Sequence, residues 1–291
     1  MRPRLFWLLA MLAIALSPRA MAAPQPFQLL EGQVVMTVTV GGREMLALVD
    51  TGSERSMIEA KLARELGLRT KMPAGRTFGA SGKSIGYART DKVEMVVGGQ
   101  TLRPSLAVFP SGSAFAARGV RILIGRDILW RQAVAIDFEH MTIDLTPSAK
   151  FRPPEGRPLK LSDRWWGPVL RIDVNGKAAD VVLDTAATGS LHLSGRFAGD
   201  AGLITGRQTS TKRITGIDGS HEQIVVVLPT VTIAGEPFGN VEATISSFGP
   251  MASGSNGIDG VVGVKLLKQF NLTIDYGSNQ VWLTPNRKMS N

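Results

Sequence analysis

The sequence contains no cysteine and only three histidines in 291 residues. Without cysteine no disulfide can support the fold, so burial of apolar side chains has to stabilise it, and a chain of this length can bury a large core. His140, His192 and His221 are far apart and show no paired spacing. We therefore expect them at surface or turn positions rather than in a metal site. Neither a metal nor a cofactor is predicted.

Two further signatures are missing. No Gly-x-Ser-x-Gly pattern marks a nucleophilic serine. The 33 basic residues outnumber the 24 acidic ones and give a formal charge of +9. They are, however, scattered singly among acidic residues, without the interleaved aromatic residues of a nucleic-acid-binding surface. The composition therefore disfavours serine hydrolase chemistry and nucleic-acid binding.

Long hydrophobic runs are absent except at the N-terminus. There, Arg2 and Arg4 precede the apolar run 5–16, and Ala20-Met21-Ala22 is a small-x-small cleavage pattern, as in a secretory signal peptide. The alternative is a membrane anchor, but this run is shorter than the roughly 20 residues that span a bilayer. We expect residues 1–22 to be removed, and the rest to be exported to the periplasm or the medium of a bacterium without a membrane span.

Short apolar runs separated by glycine-containing turns predict a mostly β fold. Strands are predicted at 34–40, 45–49, 93–97, 106–109, 122–124, 133–137 and 141–145. The first half has one predicted helix, residues 59–66, which has good helix formers and ends at Gly67.

The second half of the sequence repeats the first. Residues 181–187, which contain Asp184-Thr185-Ala186, match residues 47–53, which contain Asp50-Thr51-Gly52, at an offset of 134. Further matches in the same order are 76–82 with 213–219, 123–125 with 261–263, 134–137 with 272–275, and 145–147 with 283–285. Because the offset drifts only from 134 to 138, the pattern indicates duplication of one β-rich lobe. We predict an N-terminal lobe of residues 23–147, a proline-rich linker of residues 148–164 and a C-terminal lobe of residues 165–291.

Each half thus has Asp-Thr-Gly or Asp-Thr-Ala after an apolar run, then a glycine-containing hairpin, then two hydrophobic residues and a glycine. In these features the chain resembles the pepsin/retropepsin superfamily of aspartic proteases over nearly all of residues 30–287. The resemblance implies a bilobal acid-protease fold, with two homologous barrel-like β lobes, few short helices and a cleft between the lobes. Each lobe is retropepsin-sized, but both lie in one chain, as in pepsin.

The resemblance implies that Asp50 and Asp184 form a catalytic dyad. Two carboxyl groups a few ångströms apart cannot both ionise cheaply, so they share a proton. The ionised member takes a proton from a water molecule while the protonated member polarises the scissile carbonyl. This chemistry needs no metal and no cofactor.

Other site residues are implied by the same resemblance. Those around the dyad are Thr51, Gly52, Ser53, Thr185 and Ala186, and those on two flap hairpins over the peptide are Phe78, Gly79, Ala80, Gly216 and Ile217. By family analogy, the two threonines would link the lobes through hydroxyl-to-backbone hydrogen bonds. Gly52 would let the backbone approach a carboxylate closely.

Two residues depart from the family pattern. Ala186 replaces the usual glycine, which requires a negative φ at that position. Ala187 stands where the first lobe has Ser53, so only one side has a hydroxyl that could bond a carboxylate. We therefore expect Asp184 to hold the shared proton more strongly, and the pH optimum to be less acidic than that of pepsin.

The sequence supports two functions. The first is an aspartic endopeptidase, a monomeric exported hydrolase acting on peptides or unfolded protein segments. The alternative is a catalytically degenerate protein of the same fold that binds peptide or protein without cleaving it, because Ala186-Ala187 could mark a degenerate second site. In a third arrangement the lobes pair between chains, which would give a concentration-dependent dimer.

Overall fold

The computed structural model describes residues 23–79, 84–162, 167–217, 219–246 and 257–286. The predicted signal peptide and Ala80 lie outside the described residues. No helix in the described part of the chain is long and apolar enough to cross a membrane.

The described residues form a mostly β structure. The strands up to the linker are β1 Gln25–Leu30, β2 Gln33–Val40, β3 Arg43–Val49, β4 Met57–Glu59, β5 Thr70–Phe78, β6 Ser84–Lys92, β7 Met95–Val97, β8 Gln100–Leu102, β9 Ser105–Phe109, β10 Ile122–Ile124, β11 Gln132–Asp137 and β12 Thr142–Pro147. The later strands are β13 Leu159–Lys160, β14 Val169–Val174, β15 Lys177–Leu183, β16 Leu191–Ser194, β17 Ser210–Gly216, β18 Gly219–Ile233, β19 Glu236–Ser246, β20 Gly260–Val262, β21 Phe270–Asp275 and β22 Gln280–Pro285. The helices are α1 Ala60–Glu65, α2 Ala114–Ala117, α3 Arg126–Leu129, α4 Gly195–Asp200 and α5 Val264–Leu267, with a 3₁₀ turn at Ser148–Lys150.

The strand that leads to each Asp-Thr motif lies in the centre of its lobe. In the first lobe β3 is antiparallel to β2 and parallel to β10, with Val49 opposite Ile124. In the second lobe β15 is antiparallel to β14 and parallel to β20, with Leu183 opposite Val262. Strands covered on both faces have continuous apolar sequences, which explains the runs before Asp50 and Asp184.

Six strands form a sheet that joins the two lobes, in the order β1, β12, β11, β21, β22, β13. At its centre β11 is antiparallel to β21, and Ala135 faces Thr273, its own counterpart 138 residues later in the repeat. Val134 correspondingly faces Ile274. Identical elements that meet in this way form an isologous, two-fold contact. The register therefore relates the lobes by a pseudo-two-fold axis through this pair of strands.

The linker contributes to the joining sheet. Within the predicted linker, β13 pairs with β22 at one edge, as β1 pairs with β12 at the other edge. The largest group of buried apolar side chains runs through the sheet and into both lobes; Val134 and Ile136 of the first lobe and Leu272 and Ile274 of the second belong to it. Burial of this apolar surface holds the two halves together.

The predicted fold class, mostly β with two homologous lobes, is confirmed. Each predicted strand occurs, with ends within two residues of the expected positions. The predicted helix is α1, which Gly67 follows with a positive φ of 67°. Strand β8 and helices α2 and α3 were not predicted, because segments of three or four residues are too short to show a period.

Candidate active site

Equivalent backbone hydrogen bonds hold Asp50 and Asp184 at the ends of the two central strands. The Asp50 N–H donates to the Ile124 carbonyl at 2.9 Å, and the Asp184 N–H donates to the Val262 carbonyl at 3.0 Å. Both bonds continue the parallel pairing of the central strands beyond their last residues. The two aspartates are therefore placed by the same element in each lobe.

A glycine after each parallel partner strand gives the aspartate-bearing loops room to pack. A Cβ at Gly125 would lie 2.6 Å from the carbonyl carbon of Arg55, in the loop that follows Asp50. A Cβ at Gly263 would collide with the carbonyl oxygen of Gly189 in the second lobe. The repeated pattern of two hydrophobic residues and a glycine thus reflects close backbone packing beneath each loop.

The first loop lies directly against the second aspartate. A Cβ at Gly52, two residues after Asp50, would lie 2.6 Å from Cγ and 2.7 Å from Oδ2 of Asp184. Gly52 does not have a positive φ, so this close approach, and not the backbone conformation, requires glycine here. Ala186, the counterpart of Gly52, also lacks a positive φ. The condition that allows alanine at 186 is therefore met.

We expect the Gly52→Ala substitution to displace the Asp184 carboxyl. Displacement of a catalytic group by about 1 Å costs roughly 100-fold in rate. With the catalytic role that the family resemblance implies for Asp184, peptide cleavage should fall by about that factor, and the melting temperature should drop. The reverse substitution at the counterpart position, Ala186→Gly, is the matched control and should cost no more than about 1 kcal/mol of stability. Cleavage rates and thermal melts of the two variants check this, and equal effects would contradict it.

The two threonines cross-link the lobes beneath the aspartates. The Thr51 hydroxyl donates to the Leu183 carbonyl at 2.7 Å and accepts from the Thr185 N–H at 3.1 Å. In the same way the Thr185 hydroxyl donates to the Val49 carbonyl and accepts from the Thr51 N–H at 3.2 Å. Both residues are fully buried. Each threonine hydroxyl thus pairs with one backbone carbonyl and one backbone N–H of the opposite lobe.

A further cross-lobe bond was not predicted. The buried Gln33 donates from Nε2 to the Ala186 carbonyl at 2.6 Å. The Ala186 N–H in turn donates to Asp184 Oδ1 at 2.7 Å. The repeat places Gly167 at the counterpart of Gln33, so this contact has no equivalent in the other direction. The departure from exact repetition was the one sequence signal that could have identified Gln33.

Burial raises the pKa of both carboxyl groups. It raises the pKa of Asp50 well above the usual 3.8, the negative charge of Asp184 raises it further, and the Ser53 and Gly52 amides partly offset these effects. Burial also raises the pKa of Asp184, against the lowering effect of the Ala186, Ala187 and Gly52 amides. Two interacting carboxyls share their titration steps. The arrangement thus favours one shared proton.

The structure does not support the reason for expecting Asp184 to hold this proton more strongly. That reason assumed that the Ser53 hydroxyl bonds a carboxylate, but that hydroxyl donates to the Arg55 carbonyl at 3.0 Å and accepts from the Arg55 N–H at 3.3 Å. Asp184 interacts with three backbone amides and Asp50 with two. Because amide hydrogen bonds stabilise the charged form, the geometry favours Asp184 as the carboxylate and Asp50 as the acid.

Tyr276 is a neighbour of the two aspartates that was also not predicted. The residue is buried, and its hydroxyl has no hydrogen-bond partner among the described residues. Burial raises its pKa, and the charges of Asp50 and Asp184 raise it further. The repeat aligns it with Phe138, so Tyr276 adds a polar group on one side of the pseudo-two-fold axis only.

The predicted flap residues lie at the ends of two hairpins. In the first hairpin, β5 and β6 pair, Phe78 is the last residue of β5 and Gly79 follows it. In the second hairpin, β17 and β18 pair, with Gly216 opposite Gly219 and Ile217 in the turn.

Ile217 of the second lobe packs on apolar side chains of the first lobe. We call these side chains the first-lobe cluster; they are Val35, Leu48, Met57, Tyr87, Ala107, Phe109, Phe115, Val120 and Leu123. Ala186, beside Asp184, packs on the same cluster. The cluster therefore faces the second lobe next to the aspartates.

The predicted surface or turn position is correct for one of the three histidines. His140 is exposed and pairs with Asp137 in the turn between β11 and β12, as expected. His192 and His221, by contrast, are partly buried on β16 and β18, so their prediction as surface or turn residues is wrong. Within the described residues no group of three or more histidine and acidic side chains could hold a metal ion.

Comparison with known proteins agrees with this geometry. A family model described as aspartyl protease matches residues 36–128 and again residues 170–266. The two matches cover about two thirds of the chain, and each contains one of the two aspartates. A search of curated proteins found no match. The chain therefore belongs to the aspartyl protease family.

Proposed function

We propose that this protein is an aspartic endopeptidase in which Asp50 and Asp184 activate a water molecule to hydrolyse peptide bonds. The observation that carries the proposal is the placement of two half-buried carboxyl groups, one from each lobe, so close that the charge of one raises the pKa of the other. Interacting carboxyls with raised pKa values are typical of acid–base catalysis.

The roles of the two residues follow from their surroundings. Asp184, stabilised as a carboxylate by backbone amides, takes a proton from the attacking water. Asp50, which keeps its proton more readily, donates a hydrogen bond to the scissile carbonyl and stabilises the developing oxyanion. The proton that Asp184 took from the water then passes to the leaving amine. The flap hairpins would pair with an extended peptide through strand-like hydrogen bonds and limit access of water.

The second aspartate loop keeps the contacts that this mechanism needs. The amides of Ala186 and Ala187 donate to Asp184 Oδ1 at 2.7 and 3.3 Å. The loop also packs on Gly263, as the first loop packs on Gly125. Ala186-Ala187 therefore does not disturb the second site, which supports an active enzyme over a degenerate binding protein.

Peptide cleavage with and without a statine-containing peptide tests the proposal. An unfolded protein substrate, incubated with purified enzyme and analysed by mass spectrometry, should be cut at internal bonds. The statine peptide, which mimics the tetrahedral intermediate, should block cutting. If the wild type and the variants Asp50→Asn and Asp184→Asn all bind peptide equally and none cleaves it, the protein is a binding module.

The raised carboxyl pKa values predict the pH dependence. Catalysis needs one carboxyl ionised and the other protonated, and activity falls when the pair is fully protonated or fully ionised. Since burial raises both pKa values, the active range shifts to higher pH. We expect the pH–rate profile of kcat/KM to be bell-shaped with a maximum less acidic than that of pepsin. A maximum at or below the acidity of pepsin would contradict this.

We also propose that the enzyme is exported and works as a monomer on peptides or unfolded protein segments. The pattern in residues 1–22 supports export. The joining sheet supports a monomer, because both halves of its central pair come from one chain. N-terminal sequencing of the exported protein should start at Ala23, and light scattering should give a mass that does not change with concentration.

A further inference from the structure

The two lobes present equivalent sheet faces beside the aspartates. In the first lobe Met57 of β4 is opposite Ala107 of β9, and in the second lobe His192 of β16 is opposite Thr244 of β19. The pairings of β6 and β18 extend this correspondence. The corresponding pairs are Met57 with His192, Tyr87 with Gln223, Ala107 with Thr244, and Phe109 with Ser246.

The chemistry of these faces differs between the lobes. The four first-lobe residues belong to the apolar first-lobe cluster. All four second-lobe residues carry hydrogen-bonding side chains, and Gln223, Thr244 and Ser246 are at most 5% exposed. The apolar contacts next to them are a small cluster of Val169, Val182 and Ile258. The sheet face of the first lobe is thus apolar and the corresponding face of the second lobe is polar.

We call the four second-lobe residues and the neighbouring His221 the polar face. Several of its hydrogen-bonding atoms have no partner within the described part of the chain. His192 Nδ1 bonds the Thr244 hydroxyl at 2.6 Å, but its buried Nε2 is unpaired. Gln223 Nε2 donates to His221 Nε2 at 3.0 Å, which leaves Gln223 Oε1 and His221 Nδ1 unpaired. Buried polar atoms are rarely left without partners, since this is costly. These atoms therefore mark a place where another polar group binds.

The unpaired atoms fit an uncharged group that both donates and accepts. His221 Nε2 accepts from Gln223, so in the neutral ring Nδ1 carries the proton and is a donor. Gln223 Oε1 is an acceptor. Burial lowers the pKa of His192 to about 4, so this ring is neutral near neutral pH. Lys212 and Glu242, near His192, form an ion pair at 2.9 Å and so offset each other's charge. A carboxamide both donates and accepts without charge.

The polar face lies next to the second aspartate. His192 Nε2 is 2.7 Å from the position of a Cβ on Gly189, in the loop after Asp184. Val182 of the adjoining apolar cluster lies two residues before Asp184. Because the lobes are related by the pseudo-two-fold axis, a peptide bond held between the aspartates has one flanking residue towards each lobe.

We infer that the groove is selective on both sides of the cleaved bond. The flanking residue on the first-lobe side is apolar and contacts the first-lobe cluster. The flanking residue on the second-lobe side is Asn or Gln, whose carboxamide bonds the unpaired atoms of Gln223 and His221 on the face that also carries His192. The inference rests on the proposed function, because it assumes that peptides bind across the two aspartates.

Reduced-bond peptides test this preference without requiring cleavage. The probes are octapeptides with a CH₂–NH group in place of the central amide, flanked by Phe on one side and by Asn or the isosteric Leu on the other, made in both orders. Binding is measured by calorimetry. For one of the two orders of the flanking residues, the wild type should bind the Asn peptide about tenfold more tightly than the Leu peptide. Equal affinities in both orders would overturn the inference.

Variants assign the preference to the polar face. The double variant His192→Met, Gln223→Tyr introduces the first-lobe residues and should bind the Leu peptide more tightly than the Asn peptide. The single variant Gln223→Leu serves if the double variant does not fold, and it should lose the Asn preference. His140→Met, the same change at the exposed histidine, should keep it. Persistence of the Asn preference in the folded variants would overturn the inference.

The same peptides with ordinary amide bonds separate this inference from the proposed function. Cleavage without a preference for Asn would leave the endopeptidase proposal standing and refute the polar subsite. Tighter binding of the Asn peptide with no cleavage of any peptide would refute the endopeptidase and support the subsite.

Discussion

The Asp50→Asn substitution is expected to reduce peptide cleavage at least about a thousandfold and, as pH rises, to make the protein more stable than the wild type. Activity is lost because an amide cannot share the proton that the mechanism requires. Stability increases because the substitution removes a half-buried group whose desolvation makes it costly to ionise. Asp184→Asn should also abolish cleavage, since the two carboxyls act as one unit.

The sign of the stability change follows from the raised pKa. A carboxyl whose folded pKa lies above its unfolded pKa contributes stability that is complete below the unfolded pKa and is lost as pH rises through the folded pKa. The Asp50→Asn variant should therefore be as stable as the wild type in acid and more stable than the wild type at higher pH. Thermal melts over a pH series measure this. Asp200→Asn, at an exposed carboxylate, is the control and should change neither property. An Asp50 variant that still cleaves at near the wild-type rate would contradict the assignment.

The Thr51→Val substitution is expected to lower the free energy of unfolding by about 3 kcal/mol, because it leaves two buried backbone groups unpaired at about 1–3 kcal/mol each. These groups are the Leu183 carbonyl and the Thr185 N–H. Valine has nearly the same shape, so the loss is one of hydrogen bonding. Denaturant unfolding gives the free energy, and cleavage should fall as well because the aspartate loops lose their alignment.

The symmetry of the network allows a sharper test. Thr185→Val should cost a similar amount, and the double variant should cost less than the sum of the two, because the hydroxyls belong to one network with 3.3 Å between them. Thr37→Val, at an exposed position of β2, is the control and should stay within about 0.5 kcal/mol of the wild type. A strictly additive pair, or a cost as small as that of the control, would contradict the cross-link.

The sequence predicts the fold and the position of the candidate dyad because both depend on local patterns that occur twice. Each aspartate follows an apolar run that is buried on both faces of its strand, and Ala47, Leu48 and Val49 are at most 1% exposed. Gly125 and Gly263 stand where backbones meet closely, and Gly52 stands where the backbone meets the Asp184 side chain. Duplication makes these weak local signals recognisable, since each is repeated in order.

The features that the sequence does not predict depend on contacts between distant segments. Gln33 reaches Ala186 across 153 positions of the chain, and no periodicity indicates such a bond. Ser53 bonds Arg55 in its own turn and not a carboxylate, a choice that depends on local backbone geometry. The polar face of the second lobe becomes recognisable only when strand register pairs His192 with Thr244. Each of these breaks the symmetry of the repeat.

The most direct test of the account is an NMR titration of the aspartate carboxyl carbons in ¹³C-labelled protein, with Asp50→Asn and Asp184→Asn used to assign the two signals. If the carboxyls share a proton, both signals will move together in two well-separated steps, and the pair will stay singly protonated over the pH range between them. Two independent titrations, each near the usual carboxyl pKa of 3.8, would contradict the shared proton and with it the proposed mechanism.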